Sequence, residues 1–223
     1  MNYTNDIKLK NAWGVVIKQF QNYQNNLENK SLLVIYRNRQ SNVCDYIIVQ
    51  FIGSNYYHLT GLAYKEDDNS SKEKHFGSRF YNDLIDKKLS IENLKIKDNN
   101  TALKIKALPS ITTCYKYTNM IGDFNDSGLQ LNLDKVMGNI STYLGLKKIN
   151  GKTYAPASCL YGDVRKATRM AHQIIAIFIK ESAVLTPFSD IKYVARGHNL
   201  HNMNFNNKIK NLISLNKYQL PLK

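Results

Sequence analysis

The side chains best suited to moving protons or holding phosphate lie far apart in this chain. His58 stands in Tyr57-His58-Leu59-Thr60-Gly61. An unperturbed imidazole titrates near neutral pH, which makes His58 the natural general acid or base. Thr60 can donate a hydrogen bond to a phosphate oxygen. Lys180 ends an apolar run, and Arg165 follows the segment that holds Tyr154. Either can contact phosphate, the guanidinium in two places at once. Ser141 and Tyr81 add hydroxyls, while Tyr56, Tyr57 and Tyr154 can stack on bases. Together these are the parts of a metal-free attack by the 2′-hydroxyl of RNA: a base, an acid and groups that hold the phosphate as its charge grows. Each has a plainer reading. A lone histidine beside apolar residues is often structural, Thr60-Gly61 reads equally as a turn, and with 15 tyrosines in the chain most belong to the core.

Metal and cofactor chemistry have little to stand on. There is no HExxH, DxD or CxxC. His198 and His201 could hold an ion, but no third ligand lies near them and their surroundings are basic. Neither GxxxxGK[ST], GxGxxG nor GxSxG occurs, so no cofactor is expected. Cys44, Cys114 and Cys159 are widely spaced and read as buried thiols in a reducing compartment. Residues 1–6 lack signal-peptide architecture, and the run Ile174–Ile179 is too short to cross a bilayer. A cytoplasmic protein with no membrane partner is expected.

The formal charge is +14, from 31 Lys and Arg against 17 Asp and Glu. The excess is uneven, with 13 basic and 3 acidic residues between Ile140 and Lys223. Clustered basicity is the footprint of a polyanion partner, with a merely solubilising surface as the alternative.

The elements that must position these groups read as follows. Leu9, Trp13, Val16, Ile17, Phe20 and Tyr23 recur at helical spacing and predict an amphipathic helix over 6–28. Residues 31–37 and 45–51 predict a hairpin, the second strand running on into 56–62. A helix over 73–87, a turn of helix near 90–94 and a helix interrupted or kinked at Pro109 within 101–117 follow. Strands are predicted at 120–124, 129–133 and 153–160, around a turn at Asn125–Gly128. Gly138 and Gly145 within 135–148 imply bulges or close backbone approach. Residues 172–180 are apolar enough to sit mid-sheet. The division expected is an N-terminal helix over 1–30, a main domain over 31–180 and a basic extension over 181–223.

From Tyr57 onward the motifs resemble those of the phage-borne barnase–EndoU–colicin–RelE nucleases, in their fourth subgroup. The aromatic-His-Leu-Thr-Gly motif is matched by Tyr57–Gly61, an aromatic pair by Phe80-Tyr81, and Ile-Gly-x-Phe by Ile121–Phe124. Leu144-Gly145-Leu146 matches a Leu-Gly-aromatic turn except at the aromatic. Tyr154-Ala155-Pro156, Asp163-Val164-Arg165 and Ile174–Lys180 complete the set in order, covering residues 31–180. The resemblance implies an α+β fold, mainly an antiparallel sheet with helices packed on one face. It also implies metal-independent RNA cleavage by transesterification, and carries His58, Thr60, Arg165 and Lys180 as catalytic residues.

The first expectation is therefore a toxin-like ribonuclease of phage or mobile-element origin. Its partners would be RNA, with tRNA or another structured RNA among the candidates, and a neutralising antitoxin or host protein. The second is a non-catalytic nucleic-acid- or host-protein-binding inhibitor on a degenerate nuclease scaffold. A weaker third is a nucleotide-dependent transferase using Glu181. Convergence of His58, Thr60, Arg165 and Lys180 on one cleft favours the first; scatter favours the second.

Overall fold

The computed structural model describes residues 3–66, 73–125, 131–216 and 218. The fold is α+β, dominated by one large, mostly antiparallel sheet. In chain order the elements are α1 (Tyr3–Asn26), β1 (Lys30–Arg37), β2 (Cys44–Gln50), α2 (Asn55–Thr60), β3 (Leu62–Tyr64), α3 (Glu73–Ile85), β4 (Leu94–Ile96), α4 (Thr101–Ile111), β5 (Met120–Asp123), β6 (Lys135–Gly138), β7 (Thr142–Asn150), β8 (Thr153–Tyr161), β9 (His172–Glu181), β10 (Asp190–Val194) and α5 (Asn207–Leu212).

The sheet runs β1-β2-β8-β7-β6-β5-β9-β10, and β1 also pairs with β9. Phe178 faces Leu33 of β1 across one edge and Ile191 of β10 across the other. Nearer its start, the second edge of β9 takes β5 instead, with Met120 opposite Gln173. Seven strands therefore close into a ring, leaving β10 outside it. Closure satisfies edge N–H and C=O groups that an open sheet would present to solvent. Among the described strands, only β2 and β8 pair in parallel, at Ile48–Thr153 and Val49–Tyr154. Ile175 is an extra residue in β9, since Ile35 faces Ala176 while Tyr36 faces Ile174. Such a bulge sharpens local twist and helps the sheet curl.

Alternation along the strands sends one set of side chains inward. Leu32 and Val34, Ile47 and Val49, and Ile174, Ile177 and Ile179 join the main core, which α1 to α4 cover. The stripe on α1 buries Val16 and Tyr23, with Leu27 buried just after the helix ends, whereas Ile17 is 45% exposed. The phenols of Tyr23 and Tyr56 enter this core with partners, donating to the carbonyls of Ile52 (2.7 Å) and Val16 (2.6 Å).

The outward set of β1 and β9 meets a second core. Leu33, Ile35, Ile175 and Phe178 pack with Phe188, Leu200, Phe205 and Ile209. The segment after Glu181 is thus bound into the sheet through β10 and seals its outer face, with α5 as part of the cover. The helices are not all on one side.

Three local expectations change. The strand expected over 56–62 is the short helix α2. The Asn55 side chain accepts the Ile52 N–H (2.9 Å) at its start, and Gly61, at φ 70°, ends it in a left-handed turn. The helix α4 runs through Pro109 to Ile111. The strand expected at 129–133 falls partly outside the described residues, and 131–133 are not strand. Gly138 shows the close approach expected of it, because a Cβ there would sit 2.2 Å from the Thr142 carbonyl oxygen.

Candidate functional site

His58 is exposed on α2, its ring 5.4 Å from that of Tyr57. Its carbonyl accepts from the buried Lys104 ammonium (3.2 Å). Thr60 is fully buried and its hydroxyl is committed locally, donating to the Tyr57 carbonyl (2.9 Å) and accepting the Leu62 N–H (3.1 Å). It caps a helix end and offers phosphate nothing. Tyr57 and Tyr81 are core residues packed against Phe80 and Phe20, at 5.2 and 5.3 Å, so neither presents a ring face to a base. Ser141 is exposed in the β6–β7 turn, its N–H held by the Asn139 side chain.

Lys180 and Arg165 lie at opposite ends of β9. Lys180 donates to the Thr186 carbonyl (2.8 Å) and covers the Phe188 ring. Arg165, in the 3-10 turn Val164–Lys166, lines a groove with Ala171 and Gln173 at the other end. Eight residues of strand separate His172 from Lys180, roughly 26 Å at the usual rise. The four residues expected to converge are scattered.

The fold brings a different set together. Just beyond the apolar core, each strand of the closed ring carries one polar residue on the core-facing side of its alternation. Two residues from Val34 is Tyr36; from Ile47, Asp45; from Ile121, Asp123; from Met137, Lys135; from Leu146, Lys148; from Ile174, His172. Tyr154, opposite Lys148 across β7 and β8, completes the circle. Of these, Tyr154 is a candidate named from the sequence, and His172, as a histidine, carries a weaker signal there than His58. The others occupy strands far apart in the chain and are joined only by closure of the sheet. The signal available beforehand was a polar residue one alternation past the apolar run of each strand.

The groups in this ring feel one another. The Tyr36 ring stacks on His172 (5.6 Å, 22°), and its hydroxyl donates to Asp45 (3.3 Å). Burial, followed by the charge of Asp45, raises the Tyr36 phenol well above its usual range. Burial works to raise Asp45, but hydrogen bonds from Lys152, the Tyr46 N–H and Tyr36 outweigh it and hold the carboxyl low. Burial, then Asp123, Asp134 and Asp45, raises Tyr154. Asp123 pairs with Lys135, and 80% of the Asp123 side chain is open to solvent.

His172 is held in one state. Its Nδ1 accepts the Arg39 N–H (3.2 Å), so the neutral ring carries its proton on Nε2. Burial lowers its pKa below the ordinary 6.5, aided by Lys135 and Arg39 and opposed by Asp123. A histidine with a depressed pKa stabilises the fold fully above its unfolded value, and that contribution is lost as pH falls through it. Thermal melts should therefore show the wild type losing stability between pH 7 and 5.5. His172→Asn, which keeps an acceptor for Arg39 without a titrating ring, should show a flatter profile. Parallel profiles would mean that His172 carries no such linkage.

On the outer side of the same rim lies a groove of about 740 Å³. Its walls hold Arg37, Arg39, Arg165 and Arg169. The ring and this groove share Arg39, whose N–H fixes His172 while its side chain lines the groove. Among the described residues, no three His, Cys, Asp or Glu side chains group as a metal site requires, and no helix is long and apolar enough to cross a membrane.

A titratable ring beside a cationic groove is the combination that chemistry on a polyanion calls for. The family model described as phage-Barnase-EndoU-ColicinE5/D-RelE like nuclease4 matches residues 16–196, and the chain belongs to that family. The family is one of phage-related nucleases, so the substrate class is nucleic acid. Comparison with curated proteins and with solved structures gives no match.

Proposed function

We propose that this protein is a metal-independent ribonuclease of toxin-like character, acting in the cytoplasm, and that its chemistry takes place at the polar ring rather than at His58. The observation that carries this reading is the meeting of Asp123, Lys135 and His172 at one rim, within reach of each other's charge. Asp123 takes the proton of the 2′-hydroxyl. The 2′-oxygen attacks phosphorus and the bond to the 5′-oxygen breaks, giving a 2′,3′-cyclic phosphate and a 5′-hydroxyl that takes its proton from water at the open rim. Lys135 and the fixed Nε2–H of His172 face the phosphoryl oxygens, where negative charge grows.

A second reading has an observation behind it too. The scatter of His58, Thr60, Arg165 and Lys180 favours a non-catalytic binding protein on a nuclease scaffold. The two part in one assay. Purified protein is incubated in EDTA with an RNA and with the DNA of the same sequence. Cut RNA with cyclic phosphate ends and intact DNA are expected. Cleavage of both would remove the 2′-hydroxyl from the mechanism, and cleavage of neither would favour the binding reading.

A further inference from the structure

Lysine outnumbers arginine 25 to 6 in this chain, yet the outer groove holds four of the six arginines and no lysine. Arginine differs from lysine in offering a planar fork that grips phosphate through two hydrogen bonds. The four come from separate segments. Arg37 ends β1, Arg39 stands in the β1–β2 turn, Arg165 in the 3-10 turn after β8, and Arg169 just before β9. Their only carboxylate neighbour in the hydrogen bonds described is Asp163, held in a fork by Arg165 at 2.6–3.0 Å. Arg169 has a neutral partner, Asn125 (3.1 Å). The Nε of Arg37 is buried and meets no hydrogen-bond acceptor.

The remaining lining narrows the ligand. Met120, Met170 and Ala171 give the groove apolar patches between the guanidiniums. Inorganic phosphate would leave those patches uncovered. A chain that alternates charged phosphates with flat or apolar units, as a single-stranded nucleic acid does, uses both.

We propose that this groove holds the sugar-phosphate backbone of a single-stranded segment flanking the scissile bond. Arg39 hands the strand over the rim, from the outer groove to the ring. The proposal rests on the reading of the ring as the active centre, and its test separates the two. The arginines act on strand binding, so they set how long a substrate must be rather than the chemical step.

The probe is a fluorescein-labelled 12-nucleotide RNA with 2′-O-methyl groups throughout, which binds without being cut. The doubly substituted Arg165→Gln/Arg169→Gln protein should bind it roughly tenfold more weakly near 0.1 M salt. The slope of log affinity against log salt should shrink by about 1.4, the value for two lost contacts on a single strand. Lys166→Gln removes a neighbouring exposed charge outside the groove and should leave both quantities within about twofold. Both arginines are exposed, so folding should survive, and Arg39→Gln provides an independent third position. Unchanged affinity and slope in both arginine variants would overturn the proposal. So would an equal loss with Lys166→Gln, or equal competition by a poly-aspartate peptide. A wild type that binds the probe in this way but cuts no RNA would sink the catalytic reading alone.

Discussion

Asp123→Asn is expected to slow RNA cleavage in EDTA by about a hundredfold to ten-thousandfold, the usual contribution of one positioned general acid or base. The choice between the two ring carboxylates follows from their surroundings. Asp45 accepts from Lys152, the Tyr46 N–H and Tyr36, so three donors already share its two oxygens. Asp123 is paired with Lys135 alone among the hydrogen bonds described for it, and most of its side chain faces solvent, where a ribose can reach it. Lys135 is only 17% exposed and remains to stabilise the phosphate once the carboxylate has been neutralised. The amide keeps shape and volume while removing the basic oxygen, so the circular dichroism spectrum and melting temperature should be nearly those of the wild type. His58→Ala in the same assay should retain most of its activity. A fully active Asp123→Asn enzyme, or an inactive His58→Ala enzyme that is still folded, would move the chemistry away from the ring.

Ending the chain before Ser182 should abolish cooperative folding, although the deletion removes only residues beyond the resemblance legible in the sequence. Phe188, Leu200, Phe205 and Ile209 are at most 4% exposed and cover Leu33, Ile35, Ile175 and Phe178. Burying four such side chains stabilises by about 6–12 kcal/mol. That is the same size as the whole stability of an ordinary domain. Loss of β10 also strips hydrogen-bond partners from β9 between Ala176 and Ile179. A milder arm is Phe205→Ala, expected to cost about 3–5 kcal/mol in denaturant titrations. A truncated protein that melts like the full chain would show the second core to be dispensable.

Much of the architecture is legible in the chain because period and composition agree. Leu32–Tyr36 and Ile174–Ile179 are long apolar β-rich runs, and both are central strands buried on two faces. The segment Tyr56–Leu62 misleads because two tyrosines and a threonine carry strand preference. The left-handed turn at Gly61 and the hydrogen bond from the Ile52 N–H to the Asn55 side chain decide the matter locally, and packing of Tyr56 and Leu59 on the core fixes it. The C-terminal segment misleads for another reason. Its buried apolar residues follow no period across 188–209, so nothing marks them as a face until β9 is there to receive them. The site was the least legible part. Tyr154 and Arg165 stand out by type and do reach the rim, but His172 and Asp123 gain their meaning only from neighbours on other strands.

The pairing of β1 with β9 also sets a clock. Ser31 and Ser182, which exchange a hydrogen bond of 2.9 Å, are 151 residues apart in the chain. At synthesis rates of about 5–20 residues per second, β1 waits roughly eight to thirty seconds for its partner. Throughout that interval His172 and the outer seal are still being made. A newly started copy therefore has no closed ring, and no meeting of Asp123, Lys135 and His172, until β9 has been made, about four fifths of the way along the chain.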